Sequence, residues 1–503
     1  MRSRWAGLAV LVLPVFLVSM DVSVLFLAIP KLSESLQPTS AEQLWILDIY
    51  GFLIAGLLIT MGNLGDRLGR RRLLLIGATL FGIASVVAAF APDPGVLIAA
   101  RALMGIGGAT LMPSSLSLIS NMFADPRERG TAIGIWTASF AGGMAIGPVI
   151  GGVLLHHFWW GSVFLINVPI LVILLAVGPH ILPEFRSDTK APFDIAGVAL
   201  SLAAIFPLVY AVKHLAAEGA DATFWTTAVF GVVAMALFIR HELRVDHPLL
   251  DLSMFRNIAF SSAITAAMVG MMATSAVAYL AGIYLQTVLG KDVLLAAYLG
   301  LPAAMVIAIL CLQSAPLARL IGVRWTFVTA LTVAAVGTGL MLFIGTTQGV
   351  GIYIAASVIA GIGDGILYAL VSEVAVTSVP PERAGAATGI SETSFELGTA
   401  LGLALLGSLA TVVFRRGGSD YASHPGGSHF ADTLGETIDH AKTLDPGSVG
   451  PLIDHAKDAF VTGIHVASGT AAVMLATMAV VCAFTLRPRT PADASAESAE
   501  SVA

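Results

Sequence analysis

Ionisable side chains occur inside or at the edges of apolar runs in this sequence, where water is scarce. These residues are Asp21, Asp48, Arg101, Asp364, Glu392 and Glu396. A charge in the interior of a bilayer costs at least about 2.5–3.5 kcal/mol, so residues of this kind mark functional sites or pair with an opposite charge. A buried carboxylate holds either a proton or a cation, and this exclusion is the chemistry of exchange. We therefore take the six residues as candidates for proton coupling and substrate binding.

Two of these residues have opposite charge and similar predicted depth. At a rise of 1.5 Å per residue, Asp21 lies about 13 Å and Arg101 about 9 Å from the outer ends of their runs. The similar depths predict an ion pair or a proton-exchange pair. The alternative is a static pair that only holds two helices together.

The other acids lie mainly in the second half of the chain. Glu392 and Glu396 are four residues apart, so they share one face of a helix. Like charges repel strongly in a low dielectric, and one of the two is expected to hold a proton at neutral pH. Asp364 lies near the middle of a glycine-rich run. Asp48 lies close to the outer mouth, where a solvated rim carboxylate is the alternative to a role in substrate binding.

Aromatic residues in the same runs are candidates for lining a cavity, because aromatic faces attract organic cations. The candidates are Phe26, Tyr50, Trp136, Phe140, Tyr284, Tyr368 and Phe395. For each of these rings taken singly, the alternative to lining a cavity is a position in the packed core or facing lipid.

The composition shows which elements must position these residues. Of the 503 residues only 12% are charged and 57% are hydrophobic, and the mean hydropathy is +0.88. A soluble protein has about 25% charged residues, so this composition excludes a soluble enzyme, a nucleic-acid binder and a disordered scaffold. A spanning helix needs about 20 apolar residues, and the apolar runs predict fourteen transmembrane helices. Most basic residues between the runs fall on the side of the termini, which predicts cytoplasmic termini.

An internal repeat divides the chain. Gly105-Ile-Gly107 recurs as Gly361-Ile-Gly363 at nearly the same offset at which Gly130 and Gly134 recur as Gly385 and Gly389. Several matches at one offset indicate a duplicated unit. Spans 1–6 then correspond to spans 9–14, with spans 7 and 8 inserted between them. Two parallel six-helix repeats that face each other across a cavity are typical of secondary transporters.

The repeat and the loops predict the domain organisation. The predicted domains are a six-helix bundle at 1–186, two inserted transmembrane helices at 187–250, a second six-helix bundle at 251–486 that includes an extracytoplasmic loop at 414–459, and a disordered tail at 487–503. The inserted helices either fill a groove on the lipid side or tether the halves.

No metal or cofactor site is predicted. The loop histidines His424, His429, His440 and His455 have no metal-ligand spacing, and an extracytoplasmic cap with short helices is the preferred interpretation of their segment. The sequence has no phosphate-binding loop of the Gly-x-x-x-x-Gly-Lys-Ser/Thr type and no hydrolase nucleophile motif. It therefore predicts neither an ATP-driven pump nor an enzyme.

The connection between spans 2 and 3 carries a distinctive motif. It reads Gly62-Asn-Leu-Gly-Asp66-Arg67-Leu-Gly69-Arg70-Arg71-Arg72. This motif resembles the signature of the major facilitator superfamily. The resemblance implies a cytoplasmic gate, in which glycines allow close approach of two helices and the acid and arginines form a breakable latch. The corresponding segment of the second half, 315–324, lacks the acid, which predicts a weaker latch there.

Further motifs narrow the resemblance to one subfamily. Arg101 and Gly105 match a second motif of the superfamily. Span 5 is similar to the motif of its exporters, with Gly143, Gly147, Pro148, Gly151 and Gly152. Spans 1 and 2, with Met20-Asp21 and Trp45-Ile-Leu-Asp48-Ile-Tyr50, resemble the fourteen-span drug:proton antiporters.

This resemblance implies an all-α membrane protein of the major facilitator fold, with two six-helix bundles and two inserted helices. The implied function is proton-coupled efflux of lipophilic, often cationic compounds by alternating access. The implied partners are small-molecule drugs, protons and the lipid bilayer, without nucleic acid, for a monomer in the bacterial cytoplasmic membrane. A dedicated exporter of one natural product, lipid or metabolite is the alternative, and a receptor that kept the fold without turnover is a third interpretation.

Overall fold

A computed structural model describes most of the chain. The described residues are 2–38, 40–186, 194–217, 219–245, 248, 250, 252–379, 384–421, 430–431, 433–441 and 446–486. Within these ranges every regular element is helical. The predicted tail at 487–503 lies outside them.

Seven helices build the first half. They are α1 (Arg2–Leu36), α2 (Ser40–Leu68), α3 (Arg70–Ala89), α4 (Pro94–Met122), α5 (Pro126–His157), α6 (Ser162–Leu165) and α7 (Asn167–Ile181), of which α6 and α7 form one span. Helix α1 packs along α5, and α4 packs against both α2 and α3. One hydrophobic core runs through this bundle and includes Leu11, Phe81, Leu111 and Phe164.

The inserted pair and the second half follow. These helices are α8 (Ile195–Ala217), α9 (Ala222–Glu242), α10 (Ile258–Ile283), α11 (Val293–Ile321), α12 (Val323–Leu340), α13 (Val350–Thr377), α14 (Ala384–Leu401), α15 (Gly407–Tyr421), α16 (Leu434–Ala441) and α17 (Pro446–Thr485). Wider π-helical turns at Tyr284–Val288 and Gly402–Leu406 continue α10 and α14. A second core, which includes Phe327, Leu367 and Ile464, fills this bundle.

The two halves pack in the same way, which confirms the internal repeat. Helix α10 packs on α14 as α1 does on α5, and α13 packs against α11 and α12 as α4 does against α2 and α3. The repeated glycines have matching roles. A Cβ atom on Gly107 would lie 2.8 Å from the carbonyl oxygen of Gly77 in α3, and one on Gly363 would clash with the carbonyl of Ala330 in α12. Each glycine allows two backbones to approach closely.

Short polar residues begin several of these helices. The Asp93 carboxylate accepts a hydrogen bond from the Val96 amide at 2.9 Å, with Pro94 next to it at the first helical position. The same cap occurs at Asp125, Asp221, Asn257 and Asp292. Caps of this type satisfy amides that have no partner within the helix, and proline fits the first turn because its missing N–H is not needed there.

The number of spans agrees with the prediction of fourteen. Thirteen helices of the described residues are long and apolar enough to cross a membrane, and a bent pair, Pro126–Met144 and Val149–His157, makes a fourteenth. The bend of 41° lies between Met144 and Val149 in α5, a stretch whose sequence contains Pro148. A proline removes one backbone hydrogen bond and crowds the preceding turn, which explains a kink there.

The inserted helices α8 and α9 pack on each other, and α8 contacts α2 and α14. Aromatic rings line the contact with α2: the Trp45 and Tyr210 rings stack at 6.4 Å, and the Tyr210 and His214 rings stack at 5.7 Å. Ile205 and Phe238 join a third hydrophobic cluster with Ile59 of α2 and Ile390 of α14. The inserted pair therefore lies beside the junction of the two halves. The predicted domain boundaries next to it stay predictions, because 187–193 lie outside the described residues.

The segment at 414–459 is a packed cap over its described residues. The His455 ring stacks on Tyr421 at 4.5 Å, and its Nε2 lies 3.0 Å from the carbonyl oxygen of Gly417. Phe414 and Phe430 pack at 4.9 Å. His455 thus has a packing role, as the preferred interpretation of this segment expects. His424 and His429 lie outside the described residues.

Candidate functional site

Glycines of α5 position Asp21 on α1. A Cβ atom on Gly143 would lie 2.5 Å from the carbonyl oxygen of Phe16, and one on Gly147 would lie 3.1 Å from that of Met20. Gly151 continues the contact one turn further along, against Val24. The exporter motif is therefore the surface on which the Asp21 segment of α1 packs. The side chain of Pro148 lies outside the described residues, and Gly152 has no close neighbour.

The predicted partner of Asp21 is in contact with it. Nη1 of Arg101 lies 2.5 Å from Oδ2 of Asp21, and both side chains are almost fully buried. The Asn167 amide donates a hydrogen bond to Oδ1 of Asp21 at 3.1 Å and lies 3.3 Å from the Ser85 hydroxyl. Helices α1, α4, α7 and α3 thus each contribute one polar group. Their roles in coupling stay predictions.

Helix α2 contributes the remaining contacts of Arg101. The Arg101 Nε donates to the carbonyl oxygen of Ile46 at 3.3 Å, and the guanidinium carbon lies 4.4 Å from the centre of the Tyr50 ring. Gly105 makes this approach possible, since a Cβ atom there would lie 2.8 Å from the Tyr50 carbonyl oxygen. A cation over an aromatic face is stabilised by about 2 kcal/mol or more when both are desolvated. Arg101 is therefore held by a carboxylate, a carbonyl and a ring.

Asn167 and Ser85 were not predicted from the sequence. Asn167 is a fully buried amide within an apolar run. Its polarity in such a run is the signal by which it could have been found. Ser85 is fully buried too. Serine is common in spanning helices, so a serine in an apolar run does not by itself indicate a functional site.

In the second half, Asp364 belongs to a smaller polar group. The Thr274 hydroxyl donates to Oδ2 of Asp364 at 3.0 Å and accepts a hydrogen bond from the Tyr368 hydroxyl at 3.0 Å. The Tyr368 and Phe395 rings meet edge to face at 5.7 Å. Asp364 is 3% exposed. The structure thus joins one predicted acid with two predicted aromatic residues, through a threonine that was not predicted.

Glu392 and Glu396 lie on the face of α14 that meets the first half. Helix α14 packs against α2 and α4, and a Cβ atom on Gly389 would lie 2.8 Å from the carbonyl oxygen of Leu58. The next positions on this face are Glu392, which is buried, and Glu396, which is partly exposed. The Glu396 carboxylate interacts electrostatically with both Glu392 and Tyr50. Helix α2, which carries Tyr50 of the Arg101 cluster, therefore packs against the helix that carries both acids.

The predicted cavity aromatics have different environments. Tyr368, Phe395 and Phe140 are partly exposed, as a cavity position requires. Trp136 and Tyr284 differ from the prediction because they are packed in the cores of the two bundles. The Trp136 indole donates to the Ser115 hydroxyl at 3.0 Å, and the Tyr284 hydroxyl donates to the Gly345 carbonyl at 2.6 Å.

Three predicted site residues remain, namely Tyr50, Phe26 and Asp48. Tyr50 is buried, 1% exposed, within the Arg101 cluster rather than on an open wall. The side chains of Phe26 and Asp48 lie outside the described residues.

The Gly62–Arg72 motif forms a closed latch at what we call the basic end, the end of the bundle that carries residues 62–72 and 125–130. The Arg70 guanidinium contacts the Asp66 carboxylate and lies against the backbone of Gly385 in α14. A Cβ atom on Gly62 would lie 2.5 Å from the carbonyl oxygen of Gly385. Glycines thus bring α2 and α14 together at this end, and the ion pair with Asp66 holds the Arg70 guanidinium against α14.

Glu184, which was not predicted, anchors the rest of the motif. Its carboxylate accepts hydrogen bonds from the amides of Arg71 at 3.0 Å and Arg72 at 3.2 Å. Gly69 precedes α3 with a φ of 107°. Residues that carry a side chain rarely adopt this backbone conformation. The Arg67 side chain donates to Asn63 at 3.1 Å. The motif therefore turns tightly between α2 and α3, and an acid just after the end of α7 holds it in place.

The other contact between the halves also carries an acid. A Cβ atom on Gly134 of α5 would lie 2.6 Å from the carbonyl oxygen of Cys311 in α11. Towards the basic end, a Cβ atom on Gly130 of α5 would lie 3.1 Å from Oε1 of Glu373 in α13. An acid of α13 therefore lies against the first half at this contact.

The latch gives a prediction about the equilibrium between closed and open forms. A charge-assisted hydrogen bond contributes about 1.5–3 kcal/mol, so Asp66→Asn is expected to shift the closed:open ratio at the basic end by roughly tenfold or more towards open. Spin labels at Arg127→Cys and Leu320→Cys, with both native cysteines replaced, measure the distance between the halves.

In the labelled parent the short distance is expected to dominate, and in Asp66→Asn a longer one is expected to appear. Glu436→Gln, an exposed acid of the cap, is the control. An unchanged distance distribution in Asp66→Asn would show that the ion pair does not hold this end closed.

Comparisons with known proteins agree with this architecture. The chain matches the Major Facilitator Superfamily over residues 11–403. It is 39% identical to the multidrug efflux pump LfrA of Mycolicibacterium smegmatis over 96% of each chain. It is 33% identical to the methyl viologen resistance protein SmvA of Salmonella typhimurium, over 97% of this chain and 99% of SmvA.

A solved structure supports the fold alone. The human organic anion transporter MFSD10 superposes with a TM-score of 0.59 and 14% identity, over 94% of this chain and 99% of that one. The match over most of the chain, together with the two repeated bundles and the latch motif, shows that the chain belongs to the Major Facilitator Superfamily.

Proposed function

We propose that this protein is a multidrug efflux antiporter that exchanges protons for lipophilic, often cationic compounds. One observation carries the proposal. The buried Asp21–Arg101 pair lies against Tyr50 of α2, and α2 packs across the junction against α14, the helix that carries Glu392 and Glu396. Exchangeable charges on both sides of the moving interface are what alternating access driven by protons requires. Similarity to pumps named for multidrug efflux and methyl viologen resistance supports the substrate class.

The mechanism follows from competition for the carboxylates. A proton on Asp21 removes the negative charge that holds Arg101, and the released guanidinium can shift towards Tyr50 and Glu396. A cation that binds near Glu392 and Glu396 is favoured while these acids are charged and is expelled when they gain protons. Proton and cargo therefore occupy the site alternately.

The latch connects this competition to the movement of the halves. Helix α14 carries Glu392 and Glu396 on the same face as Gly385 and Gly389, which contact α2 at the basic end. A change of charge on this face alters the contact between the same two helices. The structure is closed at the basic end, and in the proposed orientation this end is cytoplasmic. Protons then reach the acids from outside while cargo leaves.

The proposed setting is the bacterial cytoplasmic membrane, with both termini in the cytoplasm and a monomer as the working unit. The concentration of basic residues on one side supports this orientation. One proton that moves down about 150 mV supplies roughly 3.5 kcal/mol, enough for a gradient of a few hundredfold. Exchange of one proton for one neutral drug can therefore maintain substantial efflux.

The proposal is tested in proteoliposomes with an imposed pH gradient. The wild type is expected to move monovalent and divalent cationic dyes against their gradient. The double variant Asp21→Asn plus Glu396→Gln is expected to lose the dye accumulation that the pH gradient drives in the wild type. Glu436→Gln on the exposed cap is the matched control. Wild-type efflux by the double variant would contradict the proposal.

A dedicated exporter of one natural product is the second candidate. It is favoured by a 30% identity to the puromycin resistance protein pur8 of Streptomyces alboniger and to a tetracenomycin C resistance and export protein of Streptomyces glaucescens. A panel of monovalent, divalent and neutral compounds in the same vesicles separates the candidates. Efflux of several unrelated cations supports a multidrug pump, and efflux of a single compound supports a dedicated exporter.

A further inference from the structure

The inserted helices hold a group of metal-ligand side chains that the transport mechanism does not use. Asp194 lies immediately before α8, and His241 and Glu242 lie at the end of α9. The three residues meet at the end of the helix pair that the sequence predicts to be cytoplasmic. Asp194 is 47 residues from His241 in sequence but adjacent to it in the fold, because α8 and α9 are antiparallel.

The distances between the donor atoms are short. Nε2 of His241 lies 2.9 Å from Oδ1 and 3.0 Å from Oδ2 of Asp194. One ligand atom from each of the three residues lies within 4.8 Å of the others. A tetrahedral ion with bonds of about 2.0–2.2 Å places its ligand atoms roughly 3.3–3.6 Å apart. Small side-chain rotations are therefore enough to enclose an ion.

A glycine keeps the space between the two carboxylates open. A Cβ atom on Gly197 would lie 2.7 Å from Oε1 of Glu242 and would also clash with Oδ2 of Asp194. Gly197 has no left-handed backbone conformation that would by itself require glycine. The close approach of the two acids explains the glycine at this position of α8.

Burial and backbone contacts hold two of the three residues in place. The Asp194 side chain is 7% exposed, and its Oδ1 caps α8 by accepting from the Gly197 amide at 2.8 Å. Glu242 is 4% exposed, and its Oε2 accepts from the Leu250 amide at 2.8 Å. His241 is the more accessible member, with 24% of its side chain exposed. An ion can therefore enter beside the imidazole.

We propose that Asp194, His241 and Glu242 form a binding site for a divalent transition metal ion, with Zn²⁺ as the reference ion. One imidazole and two carboxylates are a donor set that suits Zn²⁺ and, with lower affinity in general, Co²⁺ and Mn²⁺. Water completes the coordination.

The bound ion would link three segments. It joins the start of α8 to the end of α9, and Glu242 extends the link to Leu250 in the connection to the second half. Leu250 packs in the same hydrophobic cluster as Ile59 of α2 and Ile390 of α14. Metal binding therefore fixes the inserted pair against the junction between the halves.

The test uses the untagged full-length protein in detergent with Zn²⁺ or Co²⁺ alone. The wild type is expected to bind one Zn²⁺ per chain in calorimetry, to melt at a higher temperature with Zn²⁺, and to give a visible absorption band with Co²⁺. The variants His241→Gln and Glu242→Gln are expected to weaken binding by about tenfold or more, because each removes one of three protein ligands.

Gly197→Ala tests the space between the acids without removing a ligand and is expected to weaken binding as well. His465→Gln is the matched control, since this imidazole contacts only the Ile344 carbonyl among the contacts described for it. Melting without metal shows whether each variant is folded.

Three outcomes would overturn the proposal. They are a folded wild type that binds neither ion, folded ligand variants that bind as tightly as the wild type, and a loss of binding in His465→Gln equal to that in His241→Gln. The measurement needs no transport, so its result is independent of the proposed efflux.

Discussion

Arg101→Met is expected to abolish proton-driven efflux and to destabilise the protein by about 3–5 kcal/mol, the usual cost of removing one partner of a buried ion pair. The substitution leaves the Asp21 carboxylate, with 2% of its side chain exposed, facing Asn167 without its cation. Methionine keeps the length and apolar contacts of the arginine stem. The melting temperature in detergent and dye efflux in vesicles measure the two effects.

The double variant Asp21→Asn plus Arg101→Met separates a structural from a coupling role. With both charges removed, much of the lost stability is expected to return, because contacting residues are not additive. Efflux is expected to stay absent if the pair exchanges a proton. A stable double variant that transports like the wild type would show that the pair only holds helices together.

Gly389→Val is expected to have the second-largest effect, a loss of transport because the basic end cannot close. The Cβ atom that valine adds would lie 2.8 Å from the Leu58 carbonyl oxygen and 3.1 Å from the Ile59 Cα atom. Both are backbone atoms, so no side-chain rotation relieves the clash. The halves must separate, as in an overpacked contact that costs about 1–3 kcal/mol.

Spin-label distances across the basic end and dye efflux test this expectation. Gly407→Val is the matched control, since Gly407 lies on the continuation of the same helix and a Cβ atom there meets no neighbour within 4 Å. Equal effects of the two substitutions would mean that helix propensity, rather than contact between the halves, explains the loss. A closed basic end in Gly389→Val would contradict the argument.

The position of a residue along a helix could be predicted from sequence, and this explains the success with Asp21 and Arg101. Each residue adds 1.5 Å, so two charges at similar depth can be matched before the helices are placed. The contribution of Asn167 depends on how α7 is rotated about its own axis, and depth does not give this rotation. The sequence therefore predicted one contact of the cluster and missed the amide beside it.

Rotation also explains the mixed result for the aromatic residues. In a bilayer the lipid-facing and the packed sides of a helix are both apolar, so no pattern of polarity shows which side a ring is on. Trp136 and Tyr284 lie in the cores, whereas Tyr368 and Phe395 form a pair beside Asp364. Of these four rings, Tyr368 and Phe395 lie near a predicted acid, and Tyr50 is a further predicted ring that lies beside the Asp21–Arg101 pair.

The gate shows what a local motif can and cannot predict. Asp66 and Arg70 are four residues apart, on either side of the turn at Gly69, so their contact is contained in the motif itself. Glu184 follows the end of α7, and Glu373 lies in α13. Only the assembled fold places these two acids near the arginines of other segments. The contact inside the motif was predictable, and the contacts of Glu184 and Glu373 with other segments were not.

The length of α17 has a practical consequence. Its 40 residues correspond to about 60 Å, roughly twice the thickness of the hydrocarbon layer. The first half of the helix therefore projects outside the bilayer together with the cap, as a rigid arm fixed to the second bundle. Any tilt of that bundle sweeps the tip of the arm through a larger arc than its base. In the proposed orientation, a fluorophore or an antibody fragment attached there would report each turnover from outside the cell, without touching the path of the cargo.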